Sequence, residues 1–265
     1  MKRVIVTGAA GGIGYSTINY LSENGYYVYA LDIKEIKKID NVKSFVLDLT
    51  KEDEIKKIHD EIKSEGTIDA IIHFSGTYYM DSLIEIEEEK LKKIFDINFY
   101  SVFLVNKVFI DTLTKNSKII ITSSELAPLD PLPFNGIYSL TKATLENYAL
   151  SLRQELNLLG IKVIILRPGA IKTTLIDESI KNVERIEKET ILYKENAKLF
   201  RKIVEKNESK TIEPIKLSKL VGKILDKKNP RLLYSINRNN KLILLSILPK
   251  RVQLSIIKKM ITPKK

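Results

Sequence analysis

The stretch that decides the fold lies at the start of the chain, where the sequence reads Lys2-Arg3-Val4-Ile5-Val6-Thr7-Gly8-Ala9-Ala10-Gly11-Gly12-Ile13-Gly14. The apolar run predicts a short buried strand, and apolar residues at helical intervals from Ile18 onward predict a helix after the glycines. Four of the eleven glycines fall between positions 8 and 14. Glycines at such a turn let the backbone approach a pyrophosphate, which binds the free N–H groups at the helix N-terminus. The turn therefore predicts a dinucleotide site, although its spacing is G-x-x-x-G-x-G and not the common G-x-G-x-x-G.

Apolar runs and helical periods alternate along the rest of the chain. This alternation predicts an α/β fold with a doubly wound parallel sheet and helices on both faces. The predicted strands are near residues 2–7, 26–31, 43–47, 68–74, 117–122, 161–167 and 231–235. The predicted helices are near residues 12–24, 51–65, 83–114, 136–160, 178–207, 216–227, 239–248 and 250–261. Ligands of such sheets bind at the carboxyl ends of the strands. The residues that follow predicted strand ends should therefore meet around one crevice: Gly8, Asp32, Asp48, Gly76, Ser124 and Pro168.

The composition narrows the classes of protein and site. A chain of 265 residues with 44% hydrophobic content can bury one large core, and no linker divides it, so we expect a single domain. The absence of cysteine excludes disulfides and cysteine-ligated metals. The two histidines, His59 and His73, lie too far apart in sequence to suggest a metal site. The longest apolar stretch near the C-terminus, residues 242–248, is far shorter than the ~20 residues that span a bilayer. We therefore expect a cytoplasmic protein without a metal.

The net charge of +11 is concentrated at the end of the chain. Between residues 227 and 265 the sequence has no acidic residue and these basic ones: Lys227, Lys228, Arg231, Arg238, Lys241, Lys250, Arg251, Lys258, Lys259, Lys264 and Lys265. Such a segment suits a nucleic-acid arm, a membrane-surface helix or a solvated flank. Because Tyr234 is its one aromatic residue, we expect no nucleic-acid partner.

A second motif, Tyr138-Ser139-Leu140-Thr141-Lys142, follows the strand-like run Ile119-Ile120-Ile121-Thr122-Ser123-Ser124. A tyrosine and a lysine four residues apart share one helix face, so the ammonium can lie near the phenol. Lowering a tyrosine pKa from about 10 to about 7 takes roughly 4 kcal/mol of preferential stabilisation of the phenolate. One positive charge ~4 Å away at an effective dielectric constant of ~20 supplies about that much. The pair therefore predicts a proton-transfer group that works near neutral pH.

The glycine turn and the tyrosine–lysine motif together resemble those of the short-chain dehydrogenase/reductase family, in its single-domain form. The other residues that carry the resemblance occur in the family's order: Asp32, Asp48-Leu49-Thr50, Asn98, Ser124 and Pro168-Gly169-Ala170-Ile171-Lys172-Thr173. The resemblance covers about the first 175 residues. It implies a Rossmann-like fold, a nicotinamide dinucleotide cofactor, a homodimer or homotetramer, and the interconversion of a secondary alcohol and a ketone.

The cofactor-binding residues that the resemblance implies are Gly8, Gly11, Gly12, Ile13, Gly14, Asp32, Asp48, Leu49, Gly76, Tyr138, Lys142, Pro168, Gly169 and Thr173. Asp32 would accept hydrogen bonds from the adenosine ribose, and its charge would repel a 2′-phosphate. We therefore expect NAD, with NADP as the weaker alternative because Lys34 lies nearby. Asp48 would contact the adenine amino group with Leu49 beneath the ring, while Thr50 can also serve as a helix N-cap. Thr173 would bond the carboxamide or the pyrophosphate, or cap the next helix.

The catalytic residues that the resemblance implies are Asn98, Ser124, Tyr138 and Lys142. Ser124 and Tyr138 would hold the substrate oxygen, and Tyr138 would transfer the proton. Lys142 would bind the nicotinamide ribose, and Asn98 would anchor a water that leads from the lysine to solvent. Ser123 is the alternative to Ser124, because the 14 residues from Ser124 to Tyr138 are one more than the family usually has. An inserted residue within 128–133 accounts for the difference.

One stretch departs from the family pattern. His73-Phe74-Ser75-Gly76 stands where the family usually has Asn-Asn-Ala-Gly. The first asparagine of the family braces the central sheet through hydrogen bonds, which His73 can make with either ring nitrogen. We interpret His73 as a structural residue and not as a catalytic base.

The last third of the sequence predicts a lid and an extension. Residues 174–215 should form a lid over the substrate, within a catalytic domain of residues 1–235. Residues 236–265 should form a basic, amphipathic C-terminal extension, since Val252, Ile256 and Ile257 recur at helical spacing among basic residues. Either this apolar face packs on the lid or on a partner subunit, or it makes peripheral contact with a membrane.

The function that the resemblance implies is an NAD(P)-dependent oxidoreductase that interconverts a secondary alcohol and a ketone, with a lipophilic, steroid-like substrate because family members with such tails often act on these. One alternative is a 3-oxoacyl carrier-protein reductase, because the basic extension suits an acidic carrier, although such enzymes usually prefer NADPH. The other alternative is a noncatalytic nucleotide-sensing protein with the same fold. The intact set of Ser124, Tyr138 and Lys142 argues against a sensor, which would not need it.

Overall fold

The computed structural model describes residues 1–206 and 210–263. Its strands are β1 Lys2–Thr7, β2 Tyr26–Asp32, β3 Val42–Val46, β4 Ile68–His73, β5 Leu113–Thr122, β6 Lys162–Pro168 and β7 Leu233–Ile236. Within the described residues these seven strands form one sheet in the order β3-β2-β1-β4-β5-β6-β7. Every neighbouring pair of strands is parallel. The predicted α/β class and the parallel, Rossmann-like sheet are confirmed.

Helices follow most of the strands. They are α1 Gly12–Glu23, α2 Glu52–Ser64, α3 Glu88–Phe95, α4 Ser101–Phe109, α5 Gly136–Asn157, α6 Thr174–Glu189, α7 Lys194–Lys206, α8 Pro214–Asp226, α9 Asn240–Ser246 and α10 Lys250–Ile261. A π-helical turn, Asp96–Tyr100, joins α3 to α4, and a 3₁₀ turn, Ile110–Thr112, follows α4.

Two predicted helices are wrong in their extent. The helix expected at 83–114 begins at Glu88, contains the π turn, and ends before β5, which starts at Leu113. The helix expected at 178–207 is two helices, because Glu85 accepts hydrogen bonds from Thr190 and from the N–H groups of residues 191 and 192. These bonds hold the chain in a non-helical conformation between α6 and α7. Residue 207 lies outside the described residues.

The sheet has an apolar core on each face, because successive residues of a strand point in opposite directions. Ile5 belongs to a core that includes buried residues of α2, α4 and α5. Its neighbours Val4 and Val6 belong to the other core, with buried residues of α1 and α8. The molecule therefore has three layers, with the sheet in the middle.

The winding of the sheet reverses between β1 and β4. The chain proceeds outward from β1 to β3 and then crosses to β4, which lies on the other side of β1. Gly8, which follows β1, has a φ of +65°, and a Cβ on it would lie 2.5 Å from the backbone nitrogen of Ser75. Because only glycine permits this approach, the loops after β1 and β4 come together at the carboxyl ends of the strands.

A smaller apolar cluster lies beneath α6 and α7. Its buried members, which we call the α6–α7 cluster, are Met80, Phe134, Val183, Ile186, Ala197 and Phe200, with Tyr78, Tyr193, Val204 and Ile261 packed against them. The cluster joins the loop after β4 to both helices of the predicted lid. Residues 207–209 of that predicted lid lie outside the described part of the chain.

The C-terminal extension packs on this region. Ile261, the last residue of α10, contacts the α6–α7 cluster. Its carbonyl oxygen accepts a hydrogen bond of 2.6 Å from Asn196 of α7. Residues 264–265 lie outside the described residues. Among the helices that the structure describes, none has the length and apolar character needed to cross a membrane.

Candidate active site

The glycine turn between β1 and α1 forms a cradle of backbone. A Cβ on Gly14 would lie 2.1 Å from the carbonyl oxygen of Gly8, and one on Gly12 would lie 2.7 Å from the methyl group of Thr173. Gly11 is the N-cap residue of α1. Because glycine has no side chain, the first N–H groups of the helix have no side-chain cap. This arrangement fits a pyrophosphate, because uncapped N–H groups and the helix dipole both favour an anion there.

Asp32, at the end of β2, faces the same turn. One carboxylate oxygen accepts a hydrogen bond of 2.9 Å from the N–H of Ala10, and the other accepts one of 2.9 Å from the N–H of Lys34. These two bonds fix the plane of the carboxylate beside the glycine cradle. Each oxygen keeps lone-pair capacity for a further donor, such as a ribose hydroxyl.

Asp48 closes the turn after β3. Its Oδ1 accepts bonds from the N–H and the hydroxyl of Thr50, at 2.9 and 2.7 Å. Although partial burial acts to raise the pKa of Asp48, the bonds from Thr50 lower it below its usual value. Thr50 is not the N-cap of α2, because that position belongs to Lys51, so this alternative interpretation is wrong. Leu49 is buried in the core between the sheet and α2.

The residues of the tyrosine–lysine motif meet those of the strand before it. The hydroxyl of Ser124, which follows β5, lies near enough to Tyr138 to stabilise its phenolate form. Lys142 lies one turn further along α5, with its Nζ 5.7 Å from the centre of the Tyr138 ring. This ammonium donates a hydrogen bond of 3.2 Å to the carbonyl oxygen of Thr122, at the end of β5. Three of the four predicted catalytic residues therefore lie together at the carboxyl edge of the sheet.

The electrostatic state of this trio differs from the sequence-based expectation. The ring of Tyr138 keeps some exposure to solvent, but burial around it raises its pKa to about 12, and the nearby Ser124 hydroxyl lowers it only in part. Burial also lowers the pKa of Lys142 to about 8. The prediction that the lysine alone brings the phenol near neutrality is therefore wrong for the protein without cofactor. The reason is geometric, because Nζ points to the Thr122 carbonyl and not to the phenol oxygen.

Asn98, the fourth predicted catalytic residue, lies in the π-helical turn and is fully buried. Its Oδ1 accepts from the N–H of Thr77 at 2.7 Å, and its Nδ2 donates to the carbonyl of Thr77 and to Oγ1 of Thr141, both at 3.0 Å. The extra residue of a π turn interrupts the α-helical pattern, and such turns are frequent at functional sites. Across Gly76, Asn98 approaches the lysine, since a Cβ there would lie 3.3 Å from Asn98 Oδ1 and 3.5 Å from Lys142 Nζ.

Ser123 points away from this site. Its hydroxyl donates to Oε1 of Glu146 at 2.8 Å and is buried behind α5. Glu146 also accepts two bonds from Arg167 of β6, from Nε at 2.6 Å and from Nη2 at 2.5 Å. The geometry favours Ser124 over Ser123 as the hydroxyl that faces Tyr138. Sequence reasoning missed the Glu146–Arg167 pair, since nothing local relates two residues that lie 21 positions apart.

The segment after β6 borders the cradle. Gly169 donates its N–H to Ile236 at 2.9 Å, and Pro168 accepts from the N–H of Glu125 at 3.0 Å. A Cβ on Gly169 would lie 1.9 Å from the carbonyl oxygen of Asn237, so glycine is required there. Thr173 precedes α6 as its N-cap residue but makes no side-chain capping bond. Its hydroxyl instead donates to the carbonyl of Ile171 at 3.4 Å.

His73 is the last residue of β4 and is buried. Its Nε2 bonds Oδ1 of Asn106 at 2.9 Å, so this nitrogen carries the proton. Burial lowers the pKa of His73 to about 4, which keeps the ring neutral. Among the described residues its Nδ1 has no hydrogen-bond partner. The bond to Asn106 joins β4 to α4, in agreement with a structural role.

A residue that sequence reasoning overlooked is Tyr78. Its ring meets that of Tyr138 edge to face, with centroids 4.7 Å apart and an interplanar angle of 65°. It follows Gly76 by two positions, in the loop after β4. The sequence gives one weak signal of this position, because residues just beyond a strand end of such a sheet border the ligand crevice.

Comparison with known proteins agrees with this geometry. A family model described as short chain dehydrogenase matches residues 2–184. A 3-ketodihydrosphingosine reductase of Bacteroides thetaiotaomicron is 29% identical over 229 residues, which cover 86% of this chain and 84% of the relative. An NADPH-dependent 1-acyldihydroxyacetone phosphate reductase of Schizosaccharomyces pombe is 29% identical over 182 residues, which cover 66% of this chain and 61% of the relative.

The fold is shared with solved structures as well. The crystal structure of a short chain dehydrogenase family protein from Francisella tularensis subsp. tularensis superposes with a TM-score of 0.74 at 24% identity, covering 89% of this chain and 97% of that one. The family match, the parallel sheet and the shared cradle lead to one conclusion. The chain belongs to the short-chain dehydrogenase family and is an NAD(P)-dependent oxidoreductase of alcohols and ketones.

Proposed function

We propose that the protein interconverts a secondary alcohol and a ketone that carry a bulky apolar group, with NAD as its preferred cofactor. The observation that carries the proposal is the position of Tyr138, which lies near the Ser124 hydroxyl and whose ring contacts that of Tyr78, a residue that packs on the α6–α7 cluster. A polar pair next to an apolar region suits a substrate with one oxygen and a large apolar body. The two reductases named above have names that denote lipid ketones, which supports the same class of substrate.

Each residue of the proposed site has one task. Ser124 and Tyr138 hold the substrate oxygen from two sides, and Tyr138 gives or takes the proton at that oxygen. Lys142 binds the nicotinamide ribose through its ammonium, whose Nζ lies 5.7 Å from the centre of the Tyr138 ring. Asn98 fixes the backbone of Thr77 and so the loop that borders the site. The nicotinamide, when bound, supplies or accepts the hydride.

The cofactor is held by residues that lie at or just after the carboxyl ends of five strands, β1, β2, β3, β4 and β6. The pyrophosphate is bound by Gly8, Gly11, Gly12, Ile13 and Gly14. The adenosine is bound by Asp32, Asp48 and Leu49. The nicotinamide half is bound by Gly76, Pro168, Gly169 and Thr173. The preference for NAD follows from Asp32, whose carboxylate is fixed by two N–H groups beside the glycine cradle. The negative charge of this carboxylate would repel the 2′-phosphate of NADP, which disfavours NADP. The name of the Schizosaccharomyces pombe relative points the other way for that protein.

The decisive experiment replaces Tyr138 with Phe. We expect a fall in kcat of roughly 10²–10⁴-fold, because the proton-transfer group is lost. NADH binding, measured by fluorescence titration, should change little because the ring remains. Tyr100→Phe is the matched control, since Tyr100 is 42% exposed and packs on Phe103 through its ring. Near-normal turnover by Tyr138→Phe refutes the proposed mechanism.

Substrate class and cofactor are tested in one screen. Steroid, bile-acid, polyol and 3-oxoacyl compounds are assayed with NADH and with NADPH, using the wild type and Asp32→Ala. We expect the wild type to favour NADH and apolar ketones, and Asp32→Ala to gain activity with NADPH. A wild type that prefers NADPH refutes the cofactor assignment. Selective reduction of 3-oxoacyl groups on a carrier protein favours the alternative function.

Assembly and surface contacts stay predictions. A homodimer or homotetramer through α4 and α5 is supported by the exposed apolar residues Leu140 and Leu150, at 45% and 43%. Peripheral membrane contact is supported by two apolar residues near basic ones, Leu244 of α9 and Ile247 directly after α9, which are 63% and 71% exposed. Sedimentation with anionic vesicles tests the second prediction. Leu244→Ser with Ile247→Ser should reduce the sedimentation, and unchanged sedimentation refutes membrane contact through these two residues.

A further inference from the structure

The ring of Tyr78 lies between the phenol of Tyr138 and the α6–α7 cluster. It meets the ring of Tyr138 edge to face, with the two ring centroids 4.7 Å apart. The same ring packs against the α6–α7 cluster, whose buried members, within the part of the chain that the structure describes, are all apolar. Burial raises the pKa of Tyr78, so its hydroxyl stays protonated in the working range of pH.

The backbone on both sides of Tyr78 is held firmly. Thr77 exchanges two hydrogen bonds with the buried side chain of Asn98. The carbonyl of Tyr78 accepts a bond of 3.3 Å from Asn182 of α6. Further along, Arg185 of α6 donates to the carbonyl of Met80. Because the chain is pinned before and after Tyr78, its ring has little freedom to move away from Tyr138.

We propose that Tyr78 is a specificity-determining residue, whose ring limits the size of the apolar group that can lie beside the reacting carbonyl. The inference rests on the proposed function, since it assigns the apolar side of that same site. A substrate oxygen held by Ser124 and Tyr138 places its neighbouring carbon atoms within reach of whatever surrounds the phenol. On the side of the α6–α7 cluster, that surrounding group is Tyr78.

The size of the effect follows from the energetics of apolar pockets. One methylene group in such a pocket changes kcat/KM by about 10–200-fold. Removal of a whole phenol ring opens space for several carbon atoms. Tyr78→Ala should therefore raise the ratio of kcat/KM for a large ketone over a small one by at least about tenfold. Tyr78→Phe keeps the ring and should leave the ratio within about twofold.

The test uses the full-length protein with NADH and two probes, cyclohexanone and the bicyclic ketone 1-decalone. Tyr79→Ala is the matched control, because the neighbouring Tyr79 ring lies 4.6 Å from the guanidinium of Arg185 and not against Tyr138. A loss of local packing would move the ratio in both alanine variants, whereas a role in specificity moves it in Tyr78→Ala alone. An unchanged ratio in Tyr78→Ala, or an equal change in Tyr79→Ala, overturns the inference.

Two further outcomes are decisive. If Tyr78→Ala loses cooperative thermal unfolding, Tyr78→Trp replaces it, and the larger ring should lower the ratio by at least about tenfold; an unchanged ratio refutes the inference. If the wild type reduces neither probe with NADH or NADPH, the proposed function fails and the inference fails with it. An active wild type whose ratio is insensitive to Tyr78 contradicts the inference alone.

Discussion

Replacement of Lys142 by Met should stabilise the protein in the absence of cofactor. Burial lowers the pKa of this lysine from 10.5 to about 8, so folding at neutral pH forces a charged group into a site that disfavours the charge. At about 1.4 kcal/mol for each tenfold change in proton affinity, the penalty is ~3 kcal/mol. The bond from Nζ to the Thr122 carbonyl offsets about 1 kcal/mol of it. The methionine variant should therefore be more stable by ~2 kcal/mol at pH 7, or by roughly 4–8 °C in Tm.

The pH dependence of this difference checks its cause. The unfolded lysine keeps its proton up to about pH 10.5, whereas the folded one loses it above about pH 8. Between these values the unfolded state binds more protons, so the wild type gains stability as the pH rises. The advantage of Lys142→Met should be full below pH 8 and vanish above pH 10.5. Subtracting the two variants cancels the other groups that titrate in this range.

The assay is urea unfolding followed by circular dichroism at pH 7, 9 and 10.5. Lys219→Met is the matched control, because Lys219 is exposed on α8 and should change stability by less than about 0.5 kcal/mol. A Lys142→Met variant that is less stable than the wild type at pH 7 refutes the reasoning. So does an advantage that stays constant from pH 7 to pH 10.5.

Two other predictions concern the cradle and the sheet. Gly14→Ala should cost at least ~2 kcal/mol of unfolding free energy, because its Cβ would lie 2.1 Å from the Gly8 carbonyl oxygen. Gly11→Ala is its control, where the distance is 3.3 Å, and equal losses in urea unfolding would contradict the steric account. His73 has its pKa lowered to about 4 by burial, so the folded protein loses ~2 kcal/mol of stability between pH 7 and pH 5 through this ring. His73→Asn should remove that part of the acid sensitivity. If the free energy of unfolding of the variant falls between pH 7 and pH 5 as much as that of the wild type, other groups cause the loss.

Much of the fold could be predicted from local pattern. The strand before the glycine turn and the helix after it follow from the apolar run and from the spacing that begins at Ile18, and both occur as expected. The features of the fold that could not be predicted depend on contacts between residues far apart in sequence. The π turn at Asn98 depends on the backbone of Thr77, and the break between α6 and α7 depends on Glu85. No local window contains both partners of either contact.

The site was predictable in its residue types and less so in its electrostatics. Spacing alone brings Tyr138 and Lys142 to one helix face, and the structure brings Ser124 to the same place. The direction of the lysine ammonium depends on the Thr122 carbonyl, which belongs to a different element. The sequence likewise did not predict the burial that raises the pKa of Tyr138, because the ring of Tyr78 that packs on it belongs to a different part of the chain, the loop after β4.

The pairing of Glu146 with Arg167 has a consequence for motion. It couples α5, which carries the reacting phenol, to β6, whose end precedes the predicted nicotinamide loop. Two parallel bonds of this type resist both sliding and rotation. The pair therefore stiffens the join between α5 and β6, and we predict that an opening that admits a substrate comes from displacement of α6 and α7.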